Sequence, residues 1–320
     1  MKSKKIIVAE NLNNQLQTKI KEAVPNWEII FGKNRDNWNH HLQEAHIIAG
    51  WKKAMEEPCL QQTSQLQWIQ SWSAGVDNYP LQLIADNSIH LTTASGVHSY
   101  PISETIFALM LGWTRKIDTY VRNKTNKIWD HGNLKLEIHQ KTIGIIGVGA
   151  IGKETAKIAK AFDMKVIGVR NTNKPEPFVD EMVTIDQLHD ILPSCDFVVL
   201  TLPLTEQTNH LFGKDEFKLM KHSSFLINIG RGEVVNEQAL IEALQNEEIA
   251  GAGLDVFENE PLEKTSPLWE MENVIITPHT AGSTEYYDQR VVENILIPNL
   301  RSYINGQPPS INLVDFKKQY

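Results

Sequence analysis

Two cysteines, Cys59 and Cys195, are all that this 320-residue chain carries. They lie far apart and form no CxxC pair, which excludes a disulfide framework and points to a reducing compartment. Cys195 opens the apolar run "CDFVVLTLP" and reads as a buried structural thiol. Long hydrophobic stretches are missing as well. Nothing approaches the roughly 18 apolar residues of a membrane-spanning helix. The start "MKSKKIIVAE" is basic and then apolar, but its apolar run covers only Ile6 to Ala9 and no small-residue cleavage site follows. It reads as a first β-strand rather than a signal peptide. Basic charge is in deficit: 31 Lys and Arg against 39 Asp and Glu leave a formal charge of −8, which argues against a nucleic-acid partner while leaving a local basic pocket open. No His, Cys, Asp and Glu spacing suggests a metal site, and no repeat, low-complexity tract or disordered linker interrupts the chain. The expectation is a cytoplasmic protein with neither membrane nor nucleic acid as partner.

What is present is a series of short Ile- and Val-rich runs. The first series is "KIIVA" (5–9), "WEIIF" (27–31), "AHIIAG" (45–50), "LQWIQSWS" (66–73) and "IHLTTA" (89–94). The second comprises "KTIGIIGVG" (141–149), "KVIGVR" (165–170), "CDFVVLTLP" (195–203), "SSFLINIG" (223–230), "IAGAGLDVF" (249–257) and "NVIITP" (273–278). Apolar strands separated by helix-length segments imply parallel pairing in βαβ units. Six strands in the second series suffice for a dinucleotide-binding sheet. Between the series, residues 103–123 predict one helix, capped by Ser103 after Pro101, with Ile106, Phe107, Met110, Leu111 and Ile117 at helical spacing. A second helical pattern starts at Ser283 and has no strand series left to join, so it should return the chain to the first domain. The predicted fold is α/β: a Rossmann-type doubly wound parallel sheet inserted into a smaller flavodoxin-like domain. Residues 1–100 and 283–320 form the substrate (catalytic) domain and 101–282 the dinucleotide-binding domain, with the active site expected in the cleft between them.

Directly after the strand at 141–146 comes Gly147-x-Gly149-x-x-Gly152, followed by an amphipathic helix. Gly147 permits a tight turn, Gly149 lets backbone approach a pyrophosphate, and Gly152 allows close helix–strand packing. The next strand should end in an acid that accepts from the adenosine ribose. It ends instead in Arg170, with Asn171, Thr172, Asn173 and Lys174 behind it. A guanidinium has only donors, so Arg170 cannot play that part. It can grip a 2′-phosphate with Lys174 assisting, or stack on adenine, or belong to a solvated basic turn.

Three further segments carry reactive side chains beyond predicted strands. "INIGRGEVVNEQAL" places Arg231, "GLDVFENEPL" places Asp255 within a strand and Glu260 beyond it, and "VIITPHTAGST" places His279. Parallel sheets form their ligand crevice at these carboxyl ends. Arg231, Glu260 and His279 make a complete set for reducing a 2-keto acid. Arg231 grips the carboxylate and polarises the ketone, His279 gives the proton, and Glu260 orients the imidazole. His98, in the loop between the series, and Trp51, after the third strand, are candidates for lining a pocket, with packing the duller alternative. His210 and His222 read as ordinary surface or core residues.

These motifs resemble the D-isomer-specific 2-hydroxyacid dehydrogenase family, which includes glyoxylate/hydroxypyruvate reductases. The match runs from about Leu66 to Ser283, with "SAGVDNYP", "GVGAIG", "LPLTEQTNHLF", "NIGRGEVV", "LDVFENEPL" and "TPHTAG" in family order. The resemblance implies that Arg231 binds substrate, Glu260 partners the histidine and His279 is the acid/base. It implies that the amides of Ala74, Gly75 and Val76 hold the substrate carboxylate. Ala150 and Ile151 would cover the pyrophosphate, and Pro203, Thr208, Ile229 and Asp255 would line the cofactor site beside Gly147, Gly149 and Gly152. A homodimer joined through the nucleotide domain is also implied. Taken with Arg170 and Lys174, the expected cofactor is NADP(H), with NAD(H) left open. The expected activity is hydride transfer between NAD(P)H and a small 2-keto or 2-hydroxy acid. A long-type phosphoglycerate dehydrogenase is disfavoured because the sequence stops at Tyr320 without room for a regulatory domain. A dinucleotide-sensing corepressor on the same fold is the rival from another class.

Overall fold

The computed structural model describes residues 3–61, 63–76, 78–132 and 134–316. It divides into two compact units, Met1–Val97 with Thr284–Tyr320, and His98–Ser283. The first is built on five strands: β1 (Lys5–Val8), β2 (Glu28–Phe31), β3 (Ile47–Ala49), β4 (Trp68–Gln70) and β5 (His90–Thr92). All neighbours are parallel, in the order β2-β1-β3-β4-β5. That is the flavodoxin-like order, with β1 flanked by β2 and β3 and buried along its whole length. Helix Asn14–Ala23 covers one face through Leu16, Ile20 and Ala23, and Asn13 caps it by accepting from Leu16 N at 2.9 Å. The same core takes Val292, Leu296, Ile297 and Leu300 from the returning helix. That helix runs from Tyr287 to Ile304 with a π turn at Val292–Leu296, just ahead of Pro298, which has no N–H to continue an α pattern. The β5 edge is closed by the chain's end: Val314 N donates to Leu91 O and Thr93 N to Asn312 O.

The second unit holds β6 (Thr142–Ile146), β7 (Lys165–Val169), β8 (Glu181–Val183), β9 (Phe197–Leu200), β10 (Phe225–Asn228), β11 (Gly251–Leu254) and β12 (Val274–Ile276). They pair in parallel in the order β12-β11-β10-β9-β6-β7-β8. The order reverses between β6 and β9, so a Rossmann switch point opens at the carboxyl ends of these two strands. The sequence reading misses β8. Three residues with one buried side chain, Val183, make no apolar run, and the segment is a strand because β7 offers it an edge.

The segment 103–123 also departs from its expectation. It is two helices, Ser99–Thr114 and Ile117–Thr125, separated by Lys116 in the left-handed region at φ +53°. Ser103 is no cap. It is buried within the first helix, its hydroxyl donating to Tyr100 O. Pro101 lies in the first turn, where its missing N–H costs no intrahelical bond, so the helix starts ahead of it. Ile117 stands exposed on the second helix instead of joining the apolar face. Both cysteines are buried in the apolar cores. Burial pushes the Cys59 thiol up to about 12 and the Cys195 thiol up to about 11, so neither is a thiolate near neutrality.

Candidate active site

The glycine-rich turn joins β6 to helix Ala150–Ala161. Gly147 has φ +110°, which a side chain would strain, and its carbonyl accepts from the Thr201 hydroxyl at 2.5 Å. A Cβ on Gly152 would lie 2.6 Å from Gly147 O, so only glycine lets the helix start this close to the strand. A Cβ on Gly149 would meet nothing within 4 Å. Gly149 caps the helix without a side-chain bond, and no acid lies in the first turn. An open cradle facing uncapped first-turn amides, including those of Ala150 and Ile151, fits a dinucleotide pyrophosphate. Around it, Ile229 is buried after β10, and Pro203 O accepts from the Thr208 hydroxyl at 2.7 Å in the loop after β9.

Arg170 stands one residue past β7, its amide donating to Val183 O. Its guanidinium is held inside its own loop, donating to Lys174 O at 2.8 Å and pairing with Glu176 at 3.0 Å. Lys174 is exposed and meets Arg170 through its backbone carbonyl. Glu176 also pairs with Lys153 at 2.8 Å. Neither Lys153 nor Glu176 stood out in the sequence, because their meeting depends on how the loop after β7 folds back.

The reactive residues follow three strands that are neighbours in the sheet, β10, β11 and β12. Asn228, the polar end of β10, orders the turn carrying Arg231: its amide donates to Arg231 O at 3.0 Å and its carbonyl accepts from Gly230 N at 3.1 Å. Arg231 itself donates to Gly230 O at 2.8 Å. The next residue, Gly232, lies so close to the loop after β11 that a Cβ there would fall 1.9 Å from the carbonyl carbon of Phe257. That contact brings the Arg231 turn against the segment leading to Glu260. Asp255 lies just past β11, whose last residue is Leu254, rather than within the strand. It is 2% exposed, and its carboxylate accepts from the Thr277 hydroxyl at 2.6 Å, Thr280 N at 2.9 Å and Ala281 N at 3.0 Å.

Asp255 thus shapes the loop that carries His279. The Asp255 carbonyl accepts from His279 N at 2.8 Å and helps hold that residue at φ +52°. His279 Nδ1 meets Glu260 Oε2 at 2.7 Å, while Glu260 Oε1 accepts from Phe257 N at 3.1 Å. Glu260 is therefore fixed at both oxygens, and the imidazole edge bearing Nε2 is the one left to work. Asn228 and Thr277 are functional supports that sequence reasoning missed. Their signal was a polar side chain at the end of an otherwise apolar strand. Elsewhere, His98 meets Gly282 O at 2.8 Å, and His210 pairs with Glu258 at 2.9 Å.

In the five-stranded unit, Ala74, Gly75 and Val76 follow β4. Ser73 shapes this loop, its hydroxyl donating to Gly75 O at 2.8 Å. The three amides donate to no acceptor among the described residues. Trp51 lies after β3, partly exposed overall, with an indole N–H that is buried and lacks a partner among the described residues. Among the described residues no group of three or more His, Cys, Asp or Glu could hold a metal, and no helix is long and apolar enough to cross a membrane.

A Rossmann sheet with an open pyrophosphate cradle, and an arginine and a carboxylate-bound histidine at its carboxyl edge, defines a dinucleotide-dependent oxidoreductase. Residues 107–281 match the family model "D-isomer specific 2-hydroxyacid dehydrogenase, NAD binding domain". Glyoxylate/hydroxypyruvate reductase B of Serratia proteamaculans is 34% identical over 312 residues, covering 94% of each chain. D-3-phosphoglycerate dehydrogenase of Methanocaldococcus jannaschii is 31% identical over 95% of this chain, which spans 58% of that protein's length. Among solved structures, the NADPH-dependent glyoxylate/hydroxypyruvate reductase of Sinorhizobium meliloti, in complex with NADP and sulfate, superposes with a TM-score of 0.81. It is 27% identical, with 99% of this chain and 100% of that one covered. The chain belongs to the D-isomer-specific 2-hydroxyacid dehydrogenase family. It is an NAD(P)-dependent oxidoreductase acting on 2-keto and 2-hydroxy acids.

Proposed function

We propose that the chain is an NADPH-preferring reductase of short 2-keto acids of the glyoxylate and hydroxypyruvate class. The observation that carries this reading is the 2.7 Å pair between His279 Nδ1 and Glu260. It fixes the tautomer so that Nε2 faces the reaction. The relatives named for glyoxylate and hydroxypyruvate reduction support the substrate class. Arg170 and Lys174 beyond β7, and the NADP found in the Sinorhizobium structure, support the cofactor preference.

In this mechanism Arg231 and the amides of Ala74, Gly75 and Val76 bind the substrate carboxylate, and Arg231 also polarises the keto oxygen. The nicotinamide, when bound, supplies the hydride that C2 accepts. His279 passes its Nε2 proton to the oxygen as that atom becomes an alkoxide. Glu260 keeps its hydrogen bond to Nδ1 throughout, so the ring turns neutral without losing its orientation. The products are the 2-hydroxy acid and the oxidised cofactor. Gly147, Gly149, Ala150, Ile151 and Gly152 receive the pyrophosphate, while Pro203, Thr208, Ile229 and Asp255 line the rest of the cofactor site. The unit built on β1–β5 takes the substrate-binding role and the unit built on β6–β12 the dinucleotide-binding role.

The test is a keto-acid panel run with NADPH and NADH, followed at 340 nm. Glyoxylate and hydroxypyruvate should turn over with NADPH, and His279→Ala should lower kcat by about 10²-fold or more. Near-wild-type turnover in that variant removes the histidine from the mechanism, and inertness across the panel removes the reductase reading. The reading includes the cytoplasm as the site of action, where Cys59 and Cys195 stay reduced. It also includes a homodimer formed through the dinucleotide unit. Trp129 there is 92% exposed beside Ile128, both lining a cavity of about 880 Å³, an apolar surface of the kind a second copy covers. Light scattering should report twice the chain's mass, and a monomer at micromolar concentration would remove the dimer from the reading.

A further inference from the structure

The position just past β7 that should hold an acid holds Arg170, yet a carboxylate is present at that place. Glu176 comes back from six residues further on. One of its oxygens lies 3.0 Å from Arg170 Nη1 and the other 2.8 Å from Lys153 Nζ. Its side chain is only 14% exposed, although Thr172, Asn173, Lys174 and Pro175 before it and Pro177 after it are exposed. The two cations come from the elements that frame an adenosine-ribose site. Lys153 is in the first turn of the helix that follows the glycine turn, and Arg170 directly follows β7. Hydrogen bonding from Lys153, then from Arg170, holds the Glu176 carboxyl below its usual range, so it is an anion at neutral pH.

One carboxylate bridging two cations at this position meets opposite demands from the two cofactors. A ribose 2′-hydroxyl needs an acceptor, which Glu176 supplies and Arg170 cannot. A 2′-phosphate needs cations, and Glu176 occupies both of them while repelling the phosphate. We propose that Glu176 is the selectivity switch of the adenosine site. In place between Lys153 and Arg170, it accepts from the ribose hydroxyl of NADH. Displaced, it leaves both cations to the 2′-phosphate of NADPH. This rests on the NADPH reading above and adds a cost to it: every NADPH bound breaks two internal ion pairs. The enzyme therefore keeps measurable use of NADH, and its preference is smaller than its two cations alone would give.

The experiment measures dissociation constants for NADPH and NADH by nucleotide fluorescence, at low salt, in the wild type, Glu176→Gln and Arg170→Ala. Melting temperature serves as the check on folding. Glu176→Gln should tighten NADPH by about tenfold and weaken NADH severalfold, because the competing anion and the acceptor charge go together. Arg170→Ala should weaken NADPH by about tenfold or more. An unchanged NADPH-to-NADH ratio in Glu176→Gln, or equal weakening of both cofactors, overturns the switch while a selective loss in Arg170→Ala leaves the NADPH reading standing. An unchanged ratio in Arg170→Ala overturns the NADPH reading itself and the switch with it.

Discussion

The first strand of each unit, β1 and β6, is an inner strand of its sheet that leads into a helix, and the two turns are built for different ends. After β1 the chain reads Glu10-Asn11-Leu12-Asn13, and Asn13 caps the helix Asn14–Ala23 with its own side chain. After β6 the chain reads Gly147-Val148-Gly149, and the helix Ala150–Ala161 has no side-chain cap. A helix N-terminus has orphan amides that something must satisfy. In the first unit Asn13 satisfies one of them, Leu16 N, from within the protein; in the second no side chain caps them, and they open toward a cradle where even a Cβ on Gly149 would touch nothing. The comparison separates a turn that serves stability from one that serves a ligand.

The strongest way to break that contrast is to fill the ligand turn where it has no room. Gly152→Val puts a Cβ 2.6 Å from Gly147 O, and should lower NADPH affinity by about 10²-fold or more as the helix start is forced off the strand. Fluorescence titration measures this, and wild-type affinity would show that the close approach is not needed. Gly149→Ala sharpens the contrast, since its Cβ meets open space. It should leave the melting temperature within about 2 °C of wild type while weakening NADPH by about tenfold, because the methyl group enters the cradle and not the core. Loss of stability without loss of affinity would reverse that assignment. The smallest effect belongs to the first unit. Asn13→Ala should cost about 1 kcal/mol of stability in urea and leave both cofactor affinities unchanged.

Legibility followed the same division. Eleven strands could be read because parallel strands covered on both faces are written as apolar runs, and the glycine spacing could be read because each glycine answers a local steric demand. β8 could not, since its three residues become a strand only by pairing with β7. Ser103 looked like a cap because a serine after a proline usually marks a helix start. The apolar side chains of helix Ser99–Thr114 bury it instead, and Pro101 fits within the first turn. Arg231, Glu260 and His279 were legible as residue types beyond strand ends. The roles of Asp255 and Thr277 in aiming those loops were not, because they act through hydrogen bonds between segments distant in sequence. That of Asn228 was not, because its bonds to Gly230 and Arg231 exist only once the turn after β10 has folded.

By itself, then, the sequence determined the two parallel sheets, the pyrophosphate turn, and the order in which arginine, glutamate and histidine follow β10, β11 and β12. These depend on periodicity and on local backbone sterics, which are written residue by residue. The tertiary structure alone decided that Glu260 takes Nδ1 of His279 and leaves Nε2, and that Glu176 sits between Lys153 and Arg170. Ion pairs are chosen by where loops carry their side chains, and no local pattern records that path.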